Sequence, residues 1–372
     1  MSGIQSNAKQ KELKMSEINF GKSITLKQAS ALIQANPTTR FLLEGEPGIG
    51  KSSLLESIAN GMGYEHAYID VPNMDLGDIA MPVIDHNTKT TKYYPNARFK
   101  IHEGKPLVIM LDEFTKGAEP VKNMLHPMLE KANPRLGDIP LNAPNSPPTI
   151  VFLTGNLSTD GVGDNLKAHS RNRLVPVRIR KPDAEEWIEW AMNKGIEPEV
   201  IAWVNRFPQV LASYTDGGAG DNPYIYSPKS NQKAFVSPRS LETASNIVKT
   251  RKQLDPDTVI VALTGAIGES GARDMQAYIE FSDQLPTWEA TITNPKTTSI
   301  PTSAGACAIV VFGAISRLTK ETITPFMEYL SRFDAEWQAV FAINIAKTPS
   351  KQGIAFSCKA FSDWVAKNQD LL

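Results

Sequence analysis

Apolar residues fall along this chain in two rhythms, and the change between them divides it. Between about 39 and 179, short unbroken apolar runs alternate with helix-like stretches. Leu107-Val108-Ile109-Met110-Leu111 and Ile150-Val151-Phe152-Leu153 hold no polar position, as expected of strands buried on both faces of a parallel sheet. Thr39–Leu43, His66–Val71 and Val175–Ile179 complete five predicted strands, and Pro176 assigns the last of them to a sheet edge. Leu26–Ala35, Ser53–Ala59 and Val121–Lys131 carry apolar residues at helical spacing. From Pro182 onward the pattern is helical. Trp187, Ile188, Trp190 and Ala191 open it, and Val200–Phe207, Ser240–Arg251 and Val259–Phe281 follow. The aromatic residues of this half read as core rather than as platforms for stacked bases. Residues 286–301, rich in Pro and Thr, predict a loop, and helices are expected at about 304–319, 325–347 and 358–369.

Two polar stretches interrupt the first half. Residues 73–105 form a long insertion, in which Asp85-His86-Asn87 reads as the turn of a hairpin between Met81–Ile84 and Thr90–Tyr94. Residues 133–148, with several Pro and Asn, read as a second loop or hairpin, and Thr215–Asn231 as a surface loop.

The chemistry sits where the predicted strands end. Gly45-Glu46-Pro47-Gly48-Ile49-Gly50-Lys51-Ser52 follows the first strand, precedes a helix and satisfies G-x-x-x-x-G-K-[ST] at every fixed position. Glycines let backbone N–H groups close on phosphate oxygens, and the helix N-terminus beginning near Ser53 adds partial positive charge. Lys51 is placed for the β- and γ-phosphates, and the Ser52 hydroxyl for Mg²⁺. Asp112 and Glu113 emerge at the C-terminal end of another strand, where ligands bind in open α/β sheets. Asp112 is expected to hold Mg²⁺ through its water shell, and Glu113 to polarise the water that attacks the γ-phosphate. Asn156 ends the strand Thr149–Thr154 and is expected near that water.

This series, followed by Ser170-Arg171-Asn172-Arg173-Leu174, resembles an AAA+ ATPase, and more narrowly the MoxR-type, dynein-related group. Leu76–Pro82 resembles that group's helix-2 insert, Asn172-Arg173-Leu174 its arginine-finger segment with Leu for Phe, and Ser237–Leu241 its sensor-2 segment. Pro182–Ala191 resembles the start of the lid in phage and bacterial members. The resemblance covers about 25–285. It implies an α/β P-loop core with a parallel five-stranded sheet flanked by helices, an α-helical lid and an α-helical C-terminal extension. The domains expected are a tail over 1–24, the nucleotide-binding domain over 25–181, the lid over 182–285 and the extension over 286–372. ATP and Mg²⁺ are the implied ligands. Gly45 to Ser53 are implied as the nucleotide site, and Glu113, Asn156, Arg173 and Arg239 as catalytic, with Arg171 the alternative finger. A finger at a subunit edge would serve the neighbour's nucleotide, which implies a ring of about six subunits. Whether Arg239 acts on its own subunit or the next stays open. The resemblance implies a client protein or a partner with a von Willebrand factor A domain. Tyr93 and Tyr94 either grip that client or pack the hairpin onto the core; as strand neighbours they face opposite sides. The alternatives are a McrB-like NTPase motor on nucleic acid and a nucleotide-dependent scaffold; Glu113 weighs against the scaffold.

Composition bounds the rest. The 372 residues carry 39 Lys and Arg against 40 Asp and Glu, so no basic field points to nucleic acid. Lys249-Thr250-Arg251-Lys252 reads as an ordinary solvated helix face. Cys307 and Cys358 have no metal spacing and read as buried small hydrophobes in a reducing compartment. No signal peptide or membrane span is legible, so a soluble, cytoplasmic protein is expected.

Overall fold

The structure, a computed structural model, describes residues 22–157, 172–216, 222–228 and 232–371. Most of the predicted tail, Arg171 and much of the predicted 215–231 loop lie outside the described residues. Contacts group the chain into two units, one of residues 1–46 and 51–180, the other of 47–50 and 181–372.

The first unit opens with α1 (Leu26–Ala35), whose N-terminus is closed by reciprocal bonds between Thr25 and Gln28. Then come β1 (Phe41–Glu44), α2 (Ser53–Met62), β2 (Glu65–Asp70), β3 (Ala80–Asp85), β4 (Thr90–Pro95), β5 (Leu107–Asp112), α3 (Glu119–Leu125), β6 (Arg135–Leu136), β7 (Ile139–Pro140), β8 (Ile150–Gly155) and β9 (Val175–Arg178). Five strands form one parallel sheet in the order β2-β5-β8-β1-β9. Its central strands are the unbroken apolar runs. Val108, Ile109, Met110, Leu111 and all of Ile150–Leu153 are fully buried, at about 1.5–3 kcal/mol for each large side chain. Pro176 lies in the edge strand β9, whose one partner strand among the described residues is β1; on its other side Ile24 N–H donates to the Arg178 carbonyl at 2.9 Å.

The predicted helix over 121–131 is shorter. α3 stops at Leu125 and a 3₁₀ turn, His126–Leu129, takes over. Pro127 has no N–H for an α-helical bond, so the chain tightens there while still burying Met128 and Leu129.

The predicted hairpin is present as β3–β4, with Met81 opposite Tyr94 and Pro82 opposite Tyr93. Both tyrosine rings are exposed, so neither is packed into the core. The hairpin is instead tied by backbone to the turn between β6 and β7. Tyr93 N–H donates to Asp138 Oδ2 at 2.8 Å and Asp138 N–H donates back to the Tyr93 carbonyl at 2.9 Å. Gly137 lies in the left-handed region (φ +57), and a Cβ there would meet the Tyr93 oxygen at 2.4 Å.

The second unit is helical. It holds α4 (Ala184–Lys194), α5 (Pro198–Arg206), α6 (Pro238–Thr250), α7 (Pro256–Asp283, interrupted at Gly268), α8 (Trp288–Thr293), α9 (Ala304–Arg317), α10 (Ile323–Leu330), α11 (Ala335–Ala346), α12 (Pro349–Ser357) and α13 (Lys359–Lys367). One core runs from Trp187 and Trp203 to Phe341 and Phe361 and includes both cysteines. Three expectations are corrected here. The loop over 286–301 contains α8, started by Thr287, whose hydroxyl accepts from Ala290 N–H. The helix over 325–347 is two helices, parted at 331–334, where Gln338 Nε2 donates to the Phe333 carbonyl at 2.7 Å. Pro349 opens a further helix, α12, that the pattern did not separate. Arg251 also departs from the solvated face expected of its cluster. It turns inward, with Nη2 at 2.8 Å from Glu199 Oε1 and 3.2 Å from Asp283 Oδ1. No described helix is long and apolar enough to cross a membrane.

Candidate active site

The loop after β1 takes a path that side chains resist. Gly48 and Gly50 have φ of 72° and 99°. Lys51 is buried, and its ammonium donates to the carbonyls of Gly45 at 2.6 Å and Glu46 at 2.9 Å. The charge on Lys51 therefore sits within the bend of the loop. Gly45 N–H donates to the Gly155 carbonyl at 3.4 Å, which ties the start of the loop to the end of β8. Ser52 precedes the first residue of α2, Ser53, and its hydroxyl makes no capping bond to its own helix. The N–H groups of Leu54 and Leu55 donate to the Lys51 and Ser52 carbonyls at 3.3 Å, and the partial positive charge of this helix end suits it to an anion.

Two strands away, the end of β5 presents Asp112 and Glu113. Both neighbouring strands hold Asp112. Leu111 pairs with Leu153, so Asp112 and Thr154 come out side by side; the Thr154 hydroxyl donates to Asp112 Oδ1. On the other flank Tyr68 pairs with Met110, two residues before Asp112 and on the same face, and its hydroxyl donates to Asp112 Oδ2 at 2.7 Å. Thr154 Oγ1 also accepts from Glu113 N–H at 3.0 Å. Glu113 itself lies in the left-handed region (φ 48, ψ 37), uncommon for a residue with a side chain. Its carboxylate forms an ion pair with Lys116 at 2.9 Å. Asn156 follows β8, half-buried, two residues beyond Thr154. The sheet thus brings the phosphate loop, Asp112–Glu113 and Asn156 to the carboxyl ends of three adjacent strands.

Arg173 precedes β9, and its Nη1 lies 3.3 Å from His126 Nε2. Arginine can only donate, so in this contact the ring nitrogen is the acceptor. The turn that carries His126 is fastened from beneath by Arg40, whose Nε donates to the Met128 carbonyl at 3.1 Å. Burial lowers the Arg40 pKa to about 10. Arg239 lies at the start of α6 with its side chain exposed, and its backbone N–H donates to the Gly48 carbonyl at 3.1 Å within the second unit. Pro238 is the first residue of that helix.

Sequence reasoning missed Tyr68, Thr154, Lys116 and His126. The first two could have been found only by laying the strands in their order, since each acts on a residue of a neighbouring strand. Ser52 and Asp112 offer oxygen donors, the kind Mg²⁺ takes, and would hold it together with water and phosphate oxygens. Among the described residues no group of three or more His, Cys, Asp or Glu could hold a metal by protein ligands alone. The site is therefore chemically suited to Mg²⁺ and not to a closed structural metal.

Residues 41–173 match the sequence model of the AAA family, the ATPase family associated with various cellular activities. No curated protein matches the chain. Among solved structures, NtrX from Brucella abortus in complex with ADP is 14% identical, over 98% of this chain and 72% of that one, with a TM-score of 0.39. A candidate ATPase from Cytophaga hutchinsonii is 13% identical, over 66% of this chain and 82% of that one, with a TM-score of 0.29. Likeness this loose adds nothing on chemistry. The parallel five-stranded sheet, the phosphate loop after β1 and the family match agree: residues 41–173 are an AAA ATPase domain, and the chain that carries them is an ATPase.

Proposed function

We propose that this protein is a MoxR-type AAA+ ATPase that works as a ring of about six subunits and remodels or activates a protein partner, such as one with a von Willebrand factor A domain. The observation that carries the reading is the convergence of the phosphate loop, Asp112–Glu113 and Asn156 at the ends of three adjacent strands. The helix-2-insert character of the β3–β4 hairpin favours this group, and its exposed Tyr93 and Tyr94 are suited to gripping a client. The inward turn of Arg251 reduces the basic cluster that a nucleic-acid motor would use.

In this reading the backbone from Gly45 to Ser53 cradles the phosphates and Lys51 neutralises them. Ser52 and Asp112 hold Mg²⁺, which offsets negative charge on the phosphates when bound. Glu113 orients and deprotonates the attacking water, and Asn156 fixes that water's position. Arg173 serves the neighbouring subunit's nucleotide, and Arg239 contacts the γ-phosphate. Arg171 is the alternative finger.

The test is complementation between two inactive variants. Arg173→Ala should bind ATP and hydrolyse it poorly, and Lys51→Ala should not bind it. Mixed rings should regain activity, because an intact Arg173 then faces an intact cradle. Mixed rings confirmed by native mass spectrometry that stay inactive would remove Arg173 as a finger in trans, and the same mixing with Arg171→Ala would test its neighbour.

A further inference from the structure

We propose that Tyr68 and Thr154 are positioning residues that clamp the Asp112 carboxylate for the metal, a role that rests on the reading of Asp112 as the Mg²⁺ carboxylate. Asp112 sits on the middle one of three adjacent parallel strands, and a hydroxyl reaches it from each side. Tyr68 on β2 takes Oδ2, and Thr154 on β8 takes Oδ1. Each carboxylate oxygen keeps a further lone pair. With one donor on each oxygen, rotation of the carboxylate would break both bonds, so its remaining lone pairs point in a fixed direction.

The two clamps are not equivalent. Thr154 is fully buried and does two jobs with one oxygen. It donates to Asp112 and accepts from the backbone N–H of Glu113, the residue in the left-handed region. It therefore links the direction of the metal carboxylate to the placement of the next residue. Tyr68 is half-exposed, and its hydroxyl donates to the Asp112 carboxylate. Its hydroxyl is a long reach from a neighbouring strand, and a phenylalanine would fill the same space without the bond. Outer partners of metal ligands commonly set affinity by about 10- to 100-fold.

Metal affinity separates the clamp from a merely structural role. Mn²⁺ binding by electron paramagnetic resonance, with a non-hydrolysable ATP analogue present, is measured for wild type, Tyr68→Phe, Thr154→Val, Thr154→Ser and Asp112→Asn. The half-saturating Mg²⁺ for ATPase turnover is measured alongside. Tyr68→Phe should weaken Mn²⁺ binding about 10-fold and raise the half-saturating Mg²⁺ by a like factor, with a smaller loss of kcat. Thr154→Val should weaken the metal and also lower kcat at saturating Mg²⁺, because Glu113 loses its tether; Thr154→Ser should restore both. Metal affinity unchanged in folded Tyr68→Phe and Thr154→Val, but lost in Asp112→Asn, would overturn the clamp and leave the reading of Asp112 standing. Unchanged affinity in Asp112→Asn would overturn that reading and the clamp with it. Tyr68→Phe tests the idea even if Thr154→Val fails to fold.

Discussion

Glu113 occupies backbone space that glycine adopts freely, and that can be weighed against the reaction it is proposed to serve. Replacing Glu113 by Ala or by Gly removes the same carboxylate and the same ion pair to Lys116, so those losses cancel between the two variants. What remains is backbone. The left-handed region costs a residue with a Cβ about 1–2 kcal/mol. Glycine gives back about 0.5–1 kcal/mol through its freer unfolded chain. Glu113→Gly should therefore be more stable than Glu113→Ala by about 0.5–1 kcal/mol. In an ordinary helix or strand interior the order is reversed by a similar amount. For a chain of 372 residues a difference of this size moves the melting temperature by about 1 °C, within reach of paired thermal unfolding by circular dichroism. Both variants should lose ATP turnover while still binding ATP and Mg²⁺. A glycine variant less stable than the alanine variant would show that the backbone at 113 carries no strain. Near-normal turnover in either would place the water-activating group elsewhere. The expected order, glycine above alanine at a position where both lose turnover, is what backbone strain at a working site produces.

Two further tests address other parts of the molecule. Gly137→Ala forces a Cβ against the Tyr93 carbonyl and should cost about 2 kcal/mol or more, with faster amide exchange at Tyr93 and Asp138; wild-type exchange at both would contradict the tie between the hairpins. Glu197 has its pKa raised, first by burial and then by Glu199, so the folded state holds that proton more tightly than the unfolded chain. Stability should fall as pH rises from the ordinary carboxylate value through the raised one, and Glu197→Gln should melt higher than wild type at pH 7 with the gap closing toward pH 4; a gap that stays constant across that range would refute it.

Much of the first unit was legible because its signals are local. A strand buried on both faces is an unbroken apolar run, and a phosphate loop needs its glycines and lysine at fixed spacing. The partners of Asp112 were not legible, because Tyr68 and Thr154 lie 44 and 42 residues away in sequence and become neighbours only through strand order. The break between α10 and α11 was hidden for another reason. Helical periodicity continues on both sides of 331–334, and it is the non-helical backbone of Asp334 (φ −58, ψ 149) that separates the two helices. The conformation of Glu113 leaves no mark in its residue type, since glutamate is not a residue that usually signals positive φ.

The tie between the two hairpins has a consequence for how this protein can diverge. Position 93 contributes its N–H and carbonyl to the tie, and every residue except proline supplies both. Its exposed ring is therefore free to change with whatever meets it. The other half is constrained: Gly137 by the carbonyl 2.4 Å from its missing Cβ, and Asp138 by the oxygen it offers. Among relatives that keep this tie, the exposed side chain at position 93 should drift while the glycine and acid opposite it stay, so the protein can acquire a new surface without a new scaffold.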